Sequence, residues 1–168
     1  MRILAVSGSL RRNSYNTSLL RAAADLLDPE DELTLWEGLA DLPPYDEDAD
    51  VEPAPASVAA LRDAVTSADA VLISTPEYNH SIPGTLKNAL DWASRPMATN
   101  SFRNKPVAVV GASAGMFGAV WAQAEVVVGQ AGEKFDDGGR LVDAGVRDEL
   151  REALTALSAA AHPVLTTA

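Results

Sequence analysis

Residues 8–16 read Gly8-Ser9-Leu10-Arg11-Arg12-Asn13-Ser14-Tyr15-Asn16. This short stretch holds two hydroxyls (Ser9, Ser14), two amides (Asn13, Asn16) and two guanidiniums. Such a set suits a phosphate monoester, which carries about −2 near neutral pH. Arg11 offers a planar fork for its oxygens. A helix starting just beyond would add backbone N–H groups and the positive end of its dipole. The same residues also make a plain polar turn with Ser14 or Asn16 as helix cap. No Gly-Lys-Ser/Thr ending and no Gly-x-Gly-x-x-Gly fingerprint is present, so a phosphate here would be held largely by side chains.

Two further segments carry chemistry. Thr75-Pro76-Glu77-Tyr78-Asn79-His80-Ser81-Ile82-Pro83-Gly84 is stiffened by its prolines. Tyr78 and Ile82 can form an apolar wall, with Asn79 and backbone amides facing a polar ring edge, an arrangement suited to a flat heteroaromatic ligand. A rigid structural loop is the other reading. Gly111-Ala112-Ser113-Ala114-Gly115-Met116-Phe117-Gly118 is built of small residues that admit close backbone approach, with Ser113 as a donor.

These segments gain meaning from the elements that precede them. Short apolar runs at Ile3–Val6, Leu33–Trp36, Ala70–Ile73, Val107–Val110 and Val126–Val128 read as strands. Between them, Leu19/Leu20/Ala23/Leu26/Leu27, Val58/Leu61/Val65/Ala68 and Leu86/Leu90/Ala93 repeat at helical spacing, and Val146/Leu150/Leu154/Leu157/Ala161 closes the chain. Alternating strand and helix predicts an α/β fold with a parallel sheet covered on both faces. Ligands of such sheets sit beyond the carboxyl ends of the strands, where strand order reverses. The three segments follow strands 1, 3 and 4.

Composition narrows the chemistry. The chain has 168 residues, enough for one domain, 1–168. It has no cysteine, which excludes disulfides, zinc–thiolate and iron–sulfur sites and thiol catalysis. Its two histidines, His80 and His162, are far apart, so no metal site is expected. A formal charge of −11 disfavours nucleic acid. No apolar run reaches the length of a membrane span, and Ser7-Gly8 interrupts the N-terminal one, so a soluble cytoplasmic protein is expected.

Gly8-Ser9-Leu10-Arg11-x-x-Ser14-x-Asn16, followed by Pro76-Glu77-Tyr78-Asn79-x-Ser81-x-Pro83-Gly84-x-Leu86-Lys87-Asn88-Ala89-Leu90-Asp91-Trp92, resembles the NADPH-dependent FMN reductase family, which includes quinone, chromate and azo reductases. The likeness runs from Arg2 to about Glu125 and resumes over Val126–Ala161. It implies a three-layer, flavodoxin-like, doubly wound sheet of five parallel strands in the order 2-1-3-4-5. It implies bound FMN, with NADPH or NADH as co-substrate and a small electron acceptor such as a quinone, free flavin, azo compound or metal oxyanion. By that likeness Ser9, Arg11, Ser14 and Asn16 hold the phosphate. Pro76, Glu77, Tyr78 and Asn79 line the ring and ribityl chain, and Ser113 and Gly115 flank the ring. The flavin supplies the hard chemistry, so no acid–base residue is assigned as catalytic. A homodimer or homotetramer is also implied.

One departure stands out. Between Gly111 and Val126 lie only 14 residues, Ala112–Glu125. After a ligand loop of six, eight remain, a helix of about 12 Å at 1.5 Å per residue. A typical strand runs about 17–20 Å. Either a helix-plus-strand piece has been deleted, or the numbering passes straight through absent residues between about Ala122 and Val127. The fifth strand and the helix before it are the expectations this touches.

Other features read as structural. His80 is a loop histidine that could donate a proton. The acidic run Asp46–Glu52 lacks EF-hand spacing and reads as solvated loop. Asp136-Asp137-Gly138-Gly139 reads as a turn, and Trp92 and Trp121 as core or interface. Glu77 could reach across an interface. Two rival functions share the fold: a flavodoxin-type electron carrier and a non-catalytic regulator.

Overall fold

The computed structural model describes residues 1–115 and 125–161. Five strands form one parallel sheet: β1 (Arg2–Ser7), β2 (Glu32–Trp36), β3 (Ala70–Ser74), β4 (Val107–Ala112) and β5 (Val126–Val128). Their order is β2-β1-β3-β4-β5, as the likeness implied. Among the described residues four α-helices cover it: α1 (Tyr15–Ala24), α2 (Ala56–Ser67), α3 (Gly84–Ala93) and α4 (Ala144–Ala161). Strand order reverses at β1 and β3, which pair directly from Ile3↔Ala70 to Ser7↔Ser74.

The period-2 alternation of each strand sorts its side chains into two cores. Ile3, Ala5 and Leu72 face α1 and α4, meeting Leu19, Leu20, Leu150, Leu154 and Leu157. Leu4, Val6, Val71 and Ile73 face α2 and α3, meeting Val58, Leu61, Val65, Leu86 and Trp92. Continuous apolar runs are what a strand covered on both faces requires. Trp92 is fully buried, so the core assignment holds and its surface is spent inside the subunit.

The segment 38–56, which carries four prolines, links β2 to α2. It contains 3-10 turns at Gly38–Asp41 and Glu47–Ala49. It is pinned to α3: Asn88 Nδ2 and Trp92 Nε1 both donate to the Pro43 carbonyl, at 2.9 and 2.8 Å. Tyr45 N–H donates to Asn88 Oδ1 at 2.7 Å, and the Tyr45 ring meets the Trp92 ring edge-on at 5.0 Å. Asp50 is also not simply solvated, because Arg62 holds it at 2.7 Å.

β5 is present, paired Val110↔Val126 to Ala112↔Val128. The helix expected before it, Trp121 and the question of absent residues from Ala122 onward lie outside the described residues, as does His162. No helix among the described residues is long and apolar enough to cross a membrane.

Candidate functional site at the carboxyl edge of the sheet

The three segments leave adjacent strands at one edge, and hydrogen bonds fasten them together there. Gly8 N–H donates to the Ser74 carbonyl at 2.7 Å, extending the β1–β3 ladder past its last pair. Thr75 N–H donates to the Val110 carbonyl at 3.0 Å, doing the same for β3–β4. Gly8 is required for this approach. A Cβ on it would stand 2.7 Å from Thr75 Oγ1 and 3.0 Å from Leu86 Cδ2.

Asn16 is the central fastening. It is buried at 3% exposure in the first turn of α1. Its Oδ1 accepts from Ser74 Oγ and from Ala112 N–H, both at 3.0 Å, and its Nδ2 donates to the Ala112 carbonyl at 2.9 Å. One side chain therefore joins α1 to the ends of β3 and β4. Expected as a phosphate ligand, Asn16 is turned inward, with one N–H left to offer.

Ser14 is the cap of α1, so that alternative is realised. Its Oγ accepts from Asn16 N–H at 3.2 Å. The remaining first-turn N–H groups of a helix have no intrahelical partner. Around them Ser9 is half-buried, while Arg11 and Arg12 are exposed and pair with no carboxylate among the described residues. The Arg11 guanidinium lies over the Tyr15 ring, 5.3 Å from its centroid, and that ring meets Phe135 at 5.4 Å. Stacking aims the fork without using up its charge.

The second segment is a tight reversal. Tyr78 and Ser81 exchange both backbone hydrogen bonds, at 2.9 and 3.1 Å. Asn79 and His80 between them take φ of 52° and 60°. Two successive left-handed residues are what a type I′ turn needs, and Asn and His tolerate that region better than most. The turn thrusts Tyr78 outward, 56% exposed. Ile82 instead packs against the α2/α3 core. The expected wall is thus Tyr78 alone, standing on buried Thr75 and Pro76. Glu77 is mostly covered, with Oε1 3.7 Å from His80 Nδ1.

The third segment is clamped onto the chain that follows β5. Ser113 N–H donates to the Val128 carbonyl and Ala131 N–H to the Ser113 carbonyl, each at 2.9 Å. Ser113 Oγ accepts from Gly115 N–H at 3.0 Å, leaving its own proton to give. Gly115 is exposed.

The cleft beside Arg11, about 380 Å³, lies between α1 and Phe135–Gly139, and Tyr78 does not line it. Its far wall is the Asp136–Gly139 turn legible in the sequence, joined by Phe135 through a ladder-like contact with Leu141 and the ring contact with Tyr15. Asn88 and Trp92, prominent in the long motif, brace the 38–56 segment.

Similarity to known proteins agrees with this layout. Residues 1–128 match the family described as NADPH-dependent FMN reductase. An NAD(P)H-dependent FMN reductase of Pseudomonas aeruginosa is 39% identical over 174 residues, covering 94% of this chain and 93% of that protein. A quinone reductase of Pseudomonas putida is 38% identical over 158 residues, covering 84% of each. Among solved structures, the flavoenzyme NAD(P)H:(acceptor) oxidoreductase FerB of Paracoccus denitrificans superposes with a TM-score of 0.82 at 35% identity, covering 95% of this chain and 96% of that one. Because the match takes in all five strands and the three segments that follow β1, β3 and β4, the chain belongs to the NADPH-dependent FMN reductase family.

Proposed function

We propose that the protein is an FMN-dependent NAD(P)H oxidoreductase whose acceptor is a small molecule, a quinone being the class the relatives' names favour. The observation that carries it is the convergence of three loops on one sheet edge, with Arg11 and Arg12, which pair with no carboxylate among the described residues, beside a capped helix N-terminus. In a chain of net charge −11, that donor set suits a phosphate monoester. Arg11, Ser9 and the first-turn amides of α1 hold the phosphate, and Ser14 shapes the turn. Pro76 and Glu77 form the floor of the ring site, Tyr78 and Asn79 its wall, and Ser113 and Gly115 its opposite rim. When bound, FMN supplies a two-electron relay between nicotinamide and acceptor. The protein contributes position and a fixed electrostatic setting. The Ser113 hydroxyl, which keeps its own proton to give, favours negative charge on the ring edge it faces. His80, exposed on the reversal, orients Glu77 and is assigned no proton transfer.

Leu10 and Tyr78, 55% and 56% exposed on neighbouring loops, give this edge apolar surface that a second copy of the chain covers in the homo-oligomer we infer.

The test is a visible spectrum of purified protein before and after anaerobic NADPH. A yellow protein that bleaches with NADPH alone supports the reading. Bleaching by dithionite only assigns an electron carrier, and a colourless protein that takes up no FMN assigns a regulator.

A further inference from the structure

The cleft beside Arg11 does not end at the site of the flavin phosphate. It continues along α1 into a second hollow of about 440 Å³, the two sharing Ser18, Arg21 and Asp136. Arg11, Arg12 and Arg21 line it, and none pairs with a carboxylate among the described residues. The acids that face them are few. Asp136 is occupied by Arg140, through Nε at 3.1 Å and the backbone N–H at 2.9 Å. Asp137 stands on the same turn, and Asp25 lies at the far end of α1. Arg147 adds a further cation there.

This is a locally positive groove on an acidic protein. Exposed charges farther off than about 8–10 Å are screened at physiological salt, so the groove decides the fate of a nearby anion, not the net −11. Arg11 alone suffices as the side-chain cation of one phosphate. Arg12 and Arg21 are left over. NADPH differs from NADH only by a 2′-phosphate, and arginine is the side chain that receives that group in other dinucleotide sites.

We propose that the groove between α1 and the 135–140 turn receives the 2′-phosphate of NADPH, with Arg21 and Arg12 as its ligands. The proposal rests on the oxidoreductase reading and assigns that enzyme a preference for NADPH over NADH.

The experiment uses the FMN-loaded protein and titrates it by calorimetry with adenosine 2′,5′-bisphosphate and with adenosine 5′-monophosphate. The wild type is expected to bind the bisphosphate about tenfold more tightly, the effect of one charge-assisted contact. Arg21→Ala should lose most of that difference, and Arg12→Ala/Arg21→Ala all of it. Arg21→Lys should recover part of it, with flavin absorbance reporting intact folding throughout. In turnover, Arg21→Ala should raise KM for NADPH about tenfold with kcat unchanged, and KM for NADH less than twofold. Equal binding of the two adenylates by wild type, or an NADPH-to-NADH ratio untouched by Arg21→Ala, overturns the proposal. A wild type that oxidises neither dinucleotide overturns the oxidoreductase reading instead, and the adenylate titration still judges the groove.

Discussion

Replacing Asn16 by Ala separates two roles that the residue type alone cannot. If Asn16 fastens the loop edge, the loss is one of stability. If it is chiefly a phosphate ligand, the loss is one of flavin affinity. Its carboxamide makes three buried hydrogen bonds, to Ser74 Oγ, Ala112 N–H and the Ala112 carbonyl. Truncation strands three polar groups in a region where Asn16, Ser74 and Ala112 are at most 3% exposed. Each stranded group costs about 1–3 kcal/mol. The Ser74 hydroxyl can rotate toward another acceptor, so the two groups of Ala112 dominate, and the net loss is about 2–5 kcal/mol. For a chain of this size, 1 kcal/mol moves Tm by about 2–4 °C, so a loss near 3 kcal/mol lowers it by roughly 6–12 °C. The assay is urea denaturation of the flavin-free protein, read by far-UV circular dichroism, beside a fluorescence titration with FMN. Ser74→Ala is the control. It removes one donor and leaves Oδ1 its bond to Ala112, so it should cost only about 0.5–1.5 kcal/mol. A flavin-free Asn16→Ala whose stability lies within about 0.5 kcal/mol of wild type, with FMN binding greatly weakened, would refute the fastening role.

Further outcomes follow from the same geometry. Arg11→Ala should weaken FMN binding by about ten- to a hundredfold, since a charge-assisted contact contributes about 1.5–3 kcal/mol, yet barely change flavin-free stability, because its contact with Tyr15 is exposed; retained affinity in a fluorescence titration would remove it from the phosphate site. Gly8→Ala forces a Cβ against Thr75 and Leu86 and should destabilise by about 1–3 kcal/mol, read from the urea midpoint. His80→Gly should be nearly neutral by thermal melt, whereas His80→Val places a β-branched residue at φ 60° and should cost about 1–2 kcal/mol. Asp143 is held below the usual carboxylate range, first by Lys134 and then by the amide of Val146 at the start of α4. A depressed carboxyl stabilises the fold above its unfolded pKa and loses that effect as pH falls through its folded value. Asp143→Asn should therefore flatten the acid limb of the stability profile below about pH 4, and an unchanged limb would mean the pair contributes nothing. Lys134 is raised by the same contact, so its contribution is present below its ordinary pKa and fades only at higher alkaline pH.

Much of this molecule was legible in the order of its residues. Strand and helix follow from short-range periodicity, which a two-face-covered strand and an amphipathic helix each impose locally. That is why all five strands fall within a residue or two of where the apolar runs placed them. The three loops were legible because every strand of a parallel sheet ends at the same edge, so the segments after β1, β3 and β4 must share it. Partners distant in sequence were not. Asn16 meets Ser74 and Ala112, 58 and 96 residues away, and a buried amide looks the same as a phosphate ligand until those neighbours are known. Asn88 and Trp92 brace Pro43, 45 and 49 residues back; Trp92 was legible as core, but its partner was not. The groove along α1 exists only because the 135–140 turn folds back onto Tyr15. Residue types and spacing settled what kinds of groups the edge of this sheet carries. Three-dimensional packing alone settled which are consumed in holding the edge together and which remain free to meet a ligand, since a hydrogen-bonding group is spent or available only according to what lies within about 3 Å of it.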